Sequence, residues 1–187
     1  PKKPETLVDL DGWGKPVTWS TQLIWAMETG GPEQKGTLWV GTMPGGLFRS
    51  RDRGETWELM ESLWRHPSRN KWLGGGADLP GIHSICFDPR HADTVRVAVS
   101  CGGVWVTKDG GETWAQSAHG MRIGDGPPEE VANPDTQDPH MMVQCAGDPS
   151  SFWVQHHAGI FKSVNDGVTW REVKAKPSSF GFGVVVH

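Results

Sequence analysis

Two sets of side chains in this sequence have the chemistry to act on a ligand. The first is rich in histidine: His83, His140, His156 and His157, with a carboxylate at Asp138 and a thiol at Cys101. Imidazole and carboxyl groups are common general acids and bases near neutral pH, which makes Asp138, His140 and His156 the candidates for a catalytic role. The same residue types suit Zn²⁺ or a similar ion, with His83, His140 and His156 as ligands and Asp138 beside them. Spacing argues against a resident metal. No H-x-x-x-H or C-x-x-C pair occurs, and neighbours such as His156 and His157 point to opposite faces of a strand. No cofactor is therefore expected. The second set suits a sugar. Trp64 and Trp72 offer rings for stacking, and Arg65, Arg69 and Arg122 offer guanidinium forks for a carboxylate. Ligand contacts are accordingly expected from Arg65, Arg69, Trp72, His83, Cys101, Arg122 and His157. The plainer role for each is to hydrogen-bond loops and hold neighbouring elements together.

The elements that must position these groups come from a repeat. Three segments align without a gap: Gly46 to Trp57 (GLFRSRDRGETW), Gly103 to Trp114 (GVWVTKDGGETW) and Gly159 to Trp170 (GIFKSVNDGVTW). They share G-[LVI]-[FW]-x-[ST]-x-[DN]-x-G-x-T-W, with periods of 57 and then 56 residues from Ser50 to Thr107 to Ser163. The apolar pair after the first glycine predicts a buried strand. Asp52, Asp109 and Asn165 can turn back onto backbone N–H groups. Gly54, Gly111 and Gly167 allow the positive φ of a tight hairpin. The Thr-Trp pair opens the returning strand, with the indole covering the turn.

In these segments the sequence resembles the Asp-box, or BNR, repeat of sialidases, sortilin-type receptors, some glycoside hydrolases and photosystem assembly factors. Over nearly its whole length it is similar to a bacterial family of BNR-repeat proteins often labelled glycosyl hydrolase or exo-α-sialidase-like. The phrases WSTQLIWAMETGG, GTMPGGLFRS, PGIHSICFDPR, VSCGGVWVTKDGGETW, WVQHHAGIF and SSFGFGVVVH carry the likeness. The resemblance implies a β-propeller of the sialidase and sortilin type. Each period then holds four strands, which is one blade, with inner strands at Gln22–Glu28, Ile82–Asp88 and Met141–Ala146. The expected organisation is one all-β domain, residues 1–187. It has an irregular lead-in over 1–18, blades at 19–60, 81–117 and 139–174, and the first strand of another blade over 179–187. About three and a half blades do not close a ring of about 4 to 8. The expectation is a piece of a propeller of about 6 or 7 blades, or two copies that pair.

Chain direction alternates across a blade, so the long loops 61–80 and 117–139 share a face with the turns between second and third strands. The boxes lie on the opposite face. The loop face is the expected site of carbohydrate recognition or hydrolysis; the alternative is a non-catalytic scaffold that binds a protein partner there. Sialidase chemistry of the usual kind is not expected. It calls for a tyrosine nucleophile, and the chain has no Tyr. It also lacks F-R-I-P, which Met121-Arg122-Ile123-Gly124 only echoes. Glu129 and Glu130 are further carboxylates with no informative spacing.

Composition sets the remaining bounds. A net charge of −4 gives no electrostatic reason for a nucleic acid or an acidic membrane as partner. No apolar run is long enough to span a bilayer as a helix. Twenty-five glycines and 14 prolines fit many turns, and 11 tryptophans in 187 residues fit a recurring packing role. Three cysteines do not make a disulfide framework; reduced thiols lean toward the cytoplasm. The sequence opens on Pro1 rather than Met, which leaves a native start upstream, and hence the compartment, open.

Overall fold

The computed structural model describes residues 20–74, 79–124, 126–176 and 178–187, with the backbone of 9–10 and 16–17. Within the lead-in, β1 (Asp9–Leu10) and β2 (Pro16–Val17) pair antiparallel; the rest of 1–18 lies outside the described residues. Twelve further strands form three four-stranded sheets. The first holds β3 (Leu23–Thr29), β4 (Leu38–Met43), β5 (Leu47–Ser50) and β6 (Glu58–Leu59). The second holds β7 (Ile82–Phe87), β8 (Val95–Val99), β9 (Gly103–Thr107) and β10 (Ala115–Gln116). The third holds β11 (Pro139–Gln144), β12 (Phe152–His156), β13 (Gly159–Ser163) and β14 (Arg171–Val173). Each is an antiparallel meander, and the inner strands β3, β7 and β11 are neighbours in that order. Sheets standing side by side on their first strands are propeller blades. The expected all-β architecture and partial propeller are therefore present.

Three details differ from expectation. The loops after the first and second blades are not wholly irregular. They carry the single-turn helices α1 (Glu61–Trp64) and α2 (Pro128–Val131), followed by 3₁₀ turns at Pro67–Lys71 and Pro134–Thr136. Prolines at the first helical positions favour such turns. The inner strand of the third blade starts two residues earlier than Met141. Residues 179–187 form no strand; an inner strand needs a second strand beside it to fill its ladder, and none is described there.

The three box hairpins are superimposable in their bonding. The hydroxyl of Ser50, Thr107 or Ser163 donates to Oδ1 of Asp52, Asp109 or Asn165 at 2.7, 2.7 and 2.9 Å. It accepts from the N–H of Gly54, Gly111 or Gly167 at 2.8, 2.8 and 3.0 Å. The same Oδ1 accepts from the N–H of Thr56, Thr113 or Thr169 at 2.9, 2.9 and 3.0 Å. Two successive residues in each turn have positive φ: Arg53 and Gly54, Gly110 and Gly111, Asp166 and Gly167. That conformation turns their carbonyls outward, and in the second and third boxes the preceding blade takes them, while Gly54 O accepts the indole N–H of its own Trp57 at 3.0 Å. Arg49 Nη1 donates to Gly110 O at 3.0 Å and Arg96 Nε to Asp166 O at 3.0 Å. Ser62 Oγ donates to Gly111 O, and Ser117 Oγ to Gly167 O at 2.7 Å. The box indoles reach back as well, Trp114 to Ser62 Oγ at 3.1 Å and Trp170 to Ser117 O at 2.7 Å.

The core lies between blades, and strand alternation divides it. On β8, Val95, Val97 and Val99 face the first blade with Trp39 and Trp105, while Ala98 faces the third with Phe152 and Trp170. Arg96 shares that second face, 4.8 Å over the Phe152 ring. A buried tryptophan removes roughly 200 Å² from water, worth about 5 kcal/mol before entropy. A net hydrogen bond is worth about 1 kcal/mol. Indole burial therefore supplies the larger share of blade adhesion, and the box bonds set its register. Among the described residues no helix is long and apolar enough to cross a membrane.

Hydrogen bonds from Thr56 and Thr113 hold the Asp52 and Asp109 carboxyls down at about 2, below their ordinary 3.8. Depressed carboxyls stabilise the fold above their unfolded value, and that contribution disappears as pH falls through the folded value. Replacing both with Asn, as Asn165 already stands in the third box, should flatten the loss of stability between about pH 4 and 2. Urea midpoints at pH 7 and pH 2.5 check this; an equal drop in variant and parent contradicts it. A second expectation concerns blade spacing. A Cβ on Gly41 would lie 2.4 Å from Ile82 O of the next blade, so Gly41→Ala should cost about 2 kcal/mol or more in urea denaturation.

Candidate functional site

Each inner strand carries a one-residue bulge at the same height. The register with the second strand skips Trp25 between Ile24 and Ala26, His83 between Ile82 and Ser84, and His140 between Pro139 and Met141. A bulged residue leaves the ladder and its side chain is re-aimed. Three such residues therefore stand at equivalent places around the axis, near the loop face. The Trp25 and His83 rings meet edge-on at 5.7 Å.

Asp138 is the hub of this region. It closes the 117–138 loop just before β11, and its backbone is held from both sides. Its N–H donates to His156 Nε2 at 2.9 Å, and its carbonyl accepts the His157 N–H at 2.9 Å. The Cys101 N–H donates to Oδ1 at 3.1 Å. Cys101 itself has φ of 43°, a left-handed turn that aims this N–H at the neighbouring blade. Oδ2 is left facing His140 Nε2 and His157 Nδ1, each 3.6 Å away. His140 Nδ1 lies 2.6 Å from Gly181 O. A carbonyl only accepts, so Nδ1 carries the proton of that bond and Nε2 is left toward Asp138. Phe182 stacks on the His140 ring at 4.8 Å, and Phe180 meets His140 and His157 edge-on at 5.7 and 5.3 Å.

The other histidines differ by burial. His156 is fully buried against Phe161, whereas the side chain of His157 is 61% exposed; β12 ends at His156, so the two part where the chain enters its turn rather than by alternation along a strand. Backbone N–H groups of Asp138 and Ala158 face the two ring nitrogens of His156 at 2.9 and 3.1 Å. A neutral ring accepts one of them at a time, and an imidazolium would accept neither. Burial, first of all, holds His156 down at about 4. Burial does the same to His83, also at about 4. His83 Nδ1 pairs with Ser84 Oγ at 2.9 Å, while its buried Nε2 lies toward Pro139 without completing a hydrogen bond. Burial and the Asp138 charge push the Cys101 thiol up to about 12.

The histidine set thus comes together around Asp138: His83, His140, His156, His157 and Cys101. Of the candidates for catalysis, Asp138 and His140 present functional atoms to the cluster, while His156 is spent on holding the loop. The sugar set does not assemble. Trp72 is buried against Trp105, and a Cβ on Gly102 would come within 2.9 Å of its ring. No face is open to stack on a ligand, and Trp64 is buried too. The three arginines are engaged separately. Arg65 pairs with Glu61 at 3.1 Å, Arg69 lies 3.5 Å over the Trp64 ring, and Arg122 pairs with Glu172 at 2.7 Å. Gly181, Phe180 and Phe182 were not expected at the site. Their segment reads as the first strand of a further blade, a pattern that carries no sign of an aromatic wall beside His140.

The sheets and the bonded hairpins define the class: β-propeller blades joined through Asp-box hairpins. Comparison with known proteins agrees. The BNR/Asp-box repeat family model matches residues 48–59. An oligoxyloglucan-reducing end-specific xyloglucanase of Emericella nidulans is 38% identical over 84 residues, 44% of this chain and 9% of that enzyme. Xyloglucanase Xgh74A of Acetivibrio thermocellus is 27% identical over 158 residues, 74% of this chain and 17% of that enzyme. Among solved structures, an ancestral GH74 enzyme superposes with a TM-score of 0.56 at 17% identity, over 83% of this chain and 19% of that one. The GH74 enzyme of Niastella koreensis does so with 0.54 at 22% identity, over 81% and 21%. The chain thus spans less than a fifth of the length of the curated xyloglucanases it matches.

If His156 holds the Asp138 loop, its removal should be felt as instability. His156→Ala should cost about 2–4 kcal/mol, from the vacated volume and the orphaned N–H. Urea denaturation followed by tryptophan fluorescence measures it; a cost under about 1 kcal/mol would show that the loop is held otherwise.

Proposed function

We propose that this chain is a segment of a carbohydrate-active propeller of the glycoside hydrolase kind, with its ligand at the loop face opposite the boxes. The carrying observation is the 38% identity over 84 residues to a xyloglucan-degrading enzyme. The geometry supports a polar, aromatic-walled patch there. His157 and Asp138 can meet sugar hydroxyls, and Phe180 and Phe182, 51% and 70% exposed, can lie against a sugar face. The substrate class we favour is a β-glucan chain rather than a sialoside, because Arg65, Arg69 and Arg122 are engaged separately and no tyrosine is present.

The cluster holds one carboxylate, Asp138. Glycoside hydrolysis uses two, about 5 to 10 Å apart. In this reading the second carboxylate comes from blades beyond this segment, and the patch alone recognises rather than cleaves. Leu23, Ile24, Trp25 and Met27 on β3 are each more than 40% exposed, an apolar strand that suits a further blade beside it.

Calorimetric titration of the intact protein with xyloglucan oligosaccharides, cello-oligosaccharides and sialyllactose tests the reading. Binding of the glucans and not of sialyllactose is expected, weakened about 10-fold by His157→Ala. No binding to any glycan overturns it and leaves the protein-binding scaffold as the better account.

A further inference from the structure

We propose that Asp138 Oδ2, His140 Nε2 and His157 Nδ1 form a binding site for one divalent transition-metal ion of the zinc class. The three ligand atoms lie within 4.8 Å of one another, and two of the three edges are 3.6 Å. A tetrahedral ion with bonds of about 2.0–2.1 Å sets its ligands about 3.4 Å apart. Two edges therefore need to shorten by only a few tenths of an ångström. The third closes by rotation of His157, whose side chain is 61% exposed.

The supporting contacts have the form metal sites use. A ligating imidazole normally donates its other N–H to a carbonyl or carboxylate, which fixes tautomer and direction. His140 does this through Nδ1 to Gly181 O at 2.6 Å. A ligating carboxylate is normally hydrogen-bonded on its other oxygen. Asp138 Oδ1 takes the Cys101 N–H at 3.1 Å, from a different blade. The outcome is that Nε2 of His140, not its tethered Nδ1, faces the Asp138 carboxylate. Two imidazole nitrogens thus converge at 3.6 Å on one carboxylate oxygen, an arrangement that a single cation can bridge.

Neutral nitrogen and carboxylate oxygen select zinc, copper, nickel or cobalt over magnesium and calcium, which prefer all-oxygen shells. Three protein ligands leave a four-coordinate ion one open position, toward the loop face. Sequence spacing pointed away from a metal, and His83 and His156 remain outside this ligand set. The bulge at His140 supplies what spacing could not, because it turns a strand residue toward the loop that follows β12. The inference goes beyond the sugar reading and does not rest on it.

Zinc sulfate and cobalt chloride are the probes, added to the intact protein after chelation and without any glycan. Calorimetry should show one saturable ion per chain, and Co²⁺ should develop the intense visible bands of a four-coordinate nitrogen–oxygen site. His157→Ala and Asp138→Asn should each weaken binding at least about 10-fold. His91→Ala, on the opposite face, should leave it unchanged. His157 is exposed, so its variant keeps the fold, and an unchanged metal-free melting curve verifies that. No saturable binding, or equal affinity in His157→Ala, overturns the proposal.

Discussion

The handover between blades is the constraint on which the rest depends. The second and third box turns each hold two consecutive residues at positive φ and present two carbonyls sideways to the preceding blade. An arginine and a serine of that blade take them, and the box indole reaches back in return. These are neutral or singly charged bonds, individually modest. Their effect is to fix the height of one blade against the next, while buried tryptophan and valine provide adhesion. Once height is fixed, features that recur along the chain recur at one level around the axis.

The inner-strand bulges show what that alignment makes possible. A single bulge is a local irregularity. Three at matching heights place Trp25, His83 and His140 on a common rim. Among the described residues the third is joined by a loop carboxylate, Asp138, which ends the loop ahead of β11. The blades are equivalent in backbone and unequal in chemistry, and loops on the rigid sheets supply the difference.

Burial then separates residues that look alike. His156 and His157 are adjacent, yet one is enclosed beside Phe161 and the other stands in solvent. Desolvation keeps His156 neutral and suited to accept a backbone N–H. His157 keeps a movable ring on the carboxylate. The loop is anchored by the last residue of β12 and the ligand face is offered by the first residue of the turn that follows.

The repeat made the fold legible. Three spaced copies of a turn-forming Asp or Asn, a glycine and a Thr-Trp pair encode local geometry, which short-range bonds satisfy without reference to the rest of the chain. The grouping of loops on one face followed from strand direction, and so did the histidine set near Asp138. What stayed hidden depended on side chains meeting across blades. Trp72 reads as a sugar platform until Gly45 and Gly102 let the neighbouring backbone close over it. Arg69 and Arg122 read as a clamp until the Trp64 ring and Glu172 engage them. The ligand direction of His140 hangs on a bulge and on Gly181, some forty residues away. Periodicity records which face a strand residue prefers; which atom it meets there is set by packing between distant segments, and that is a property of the tertiary structure.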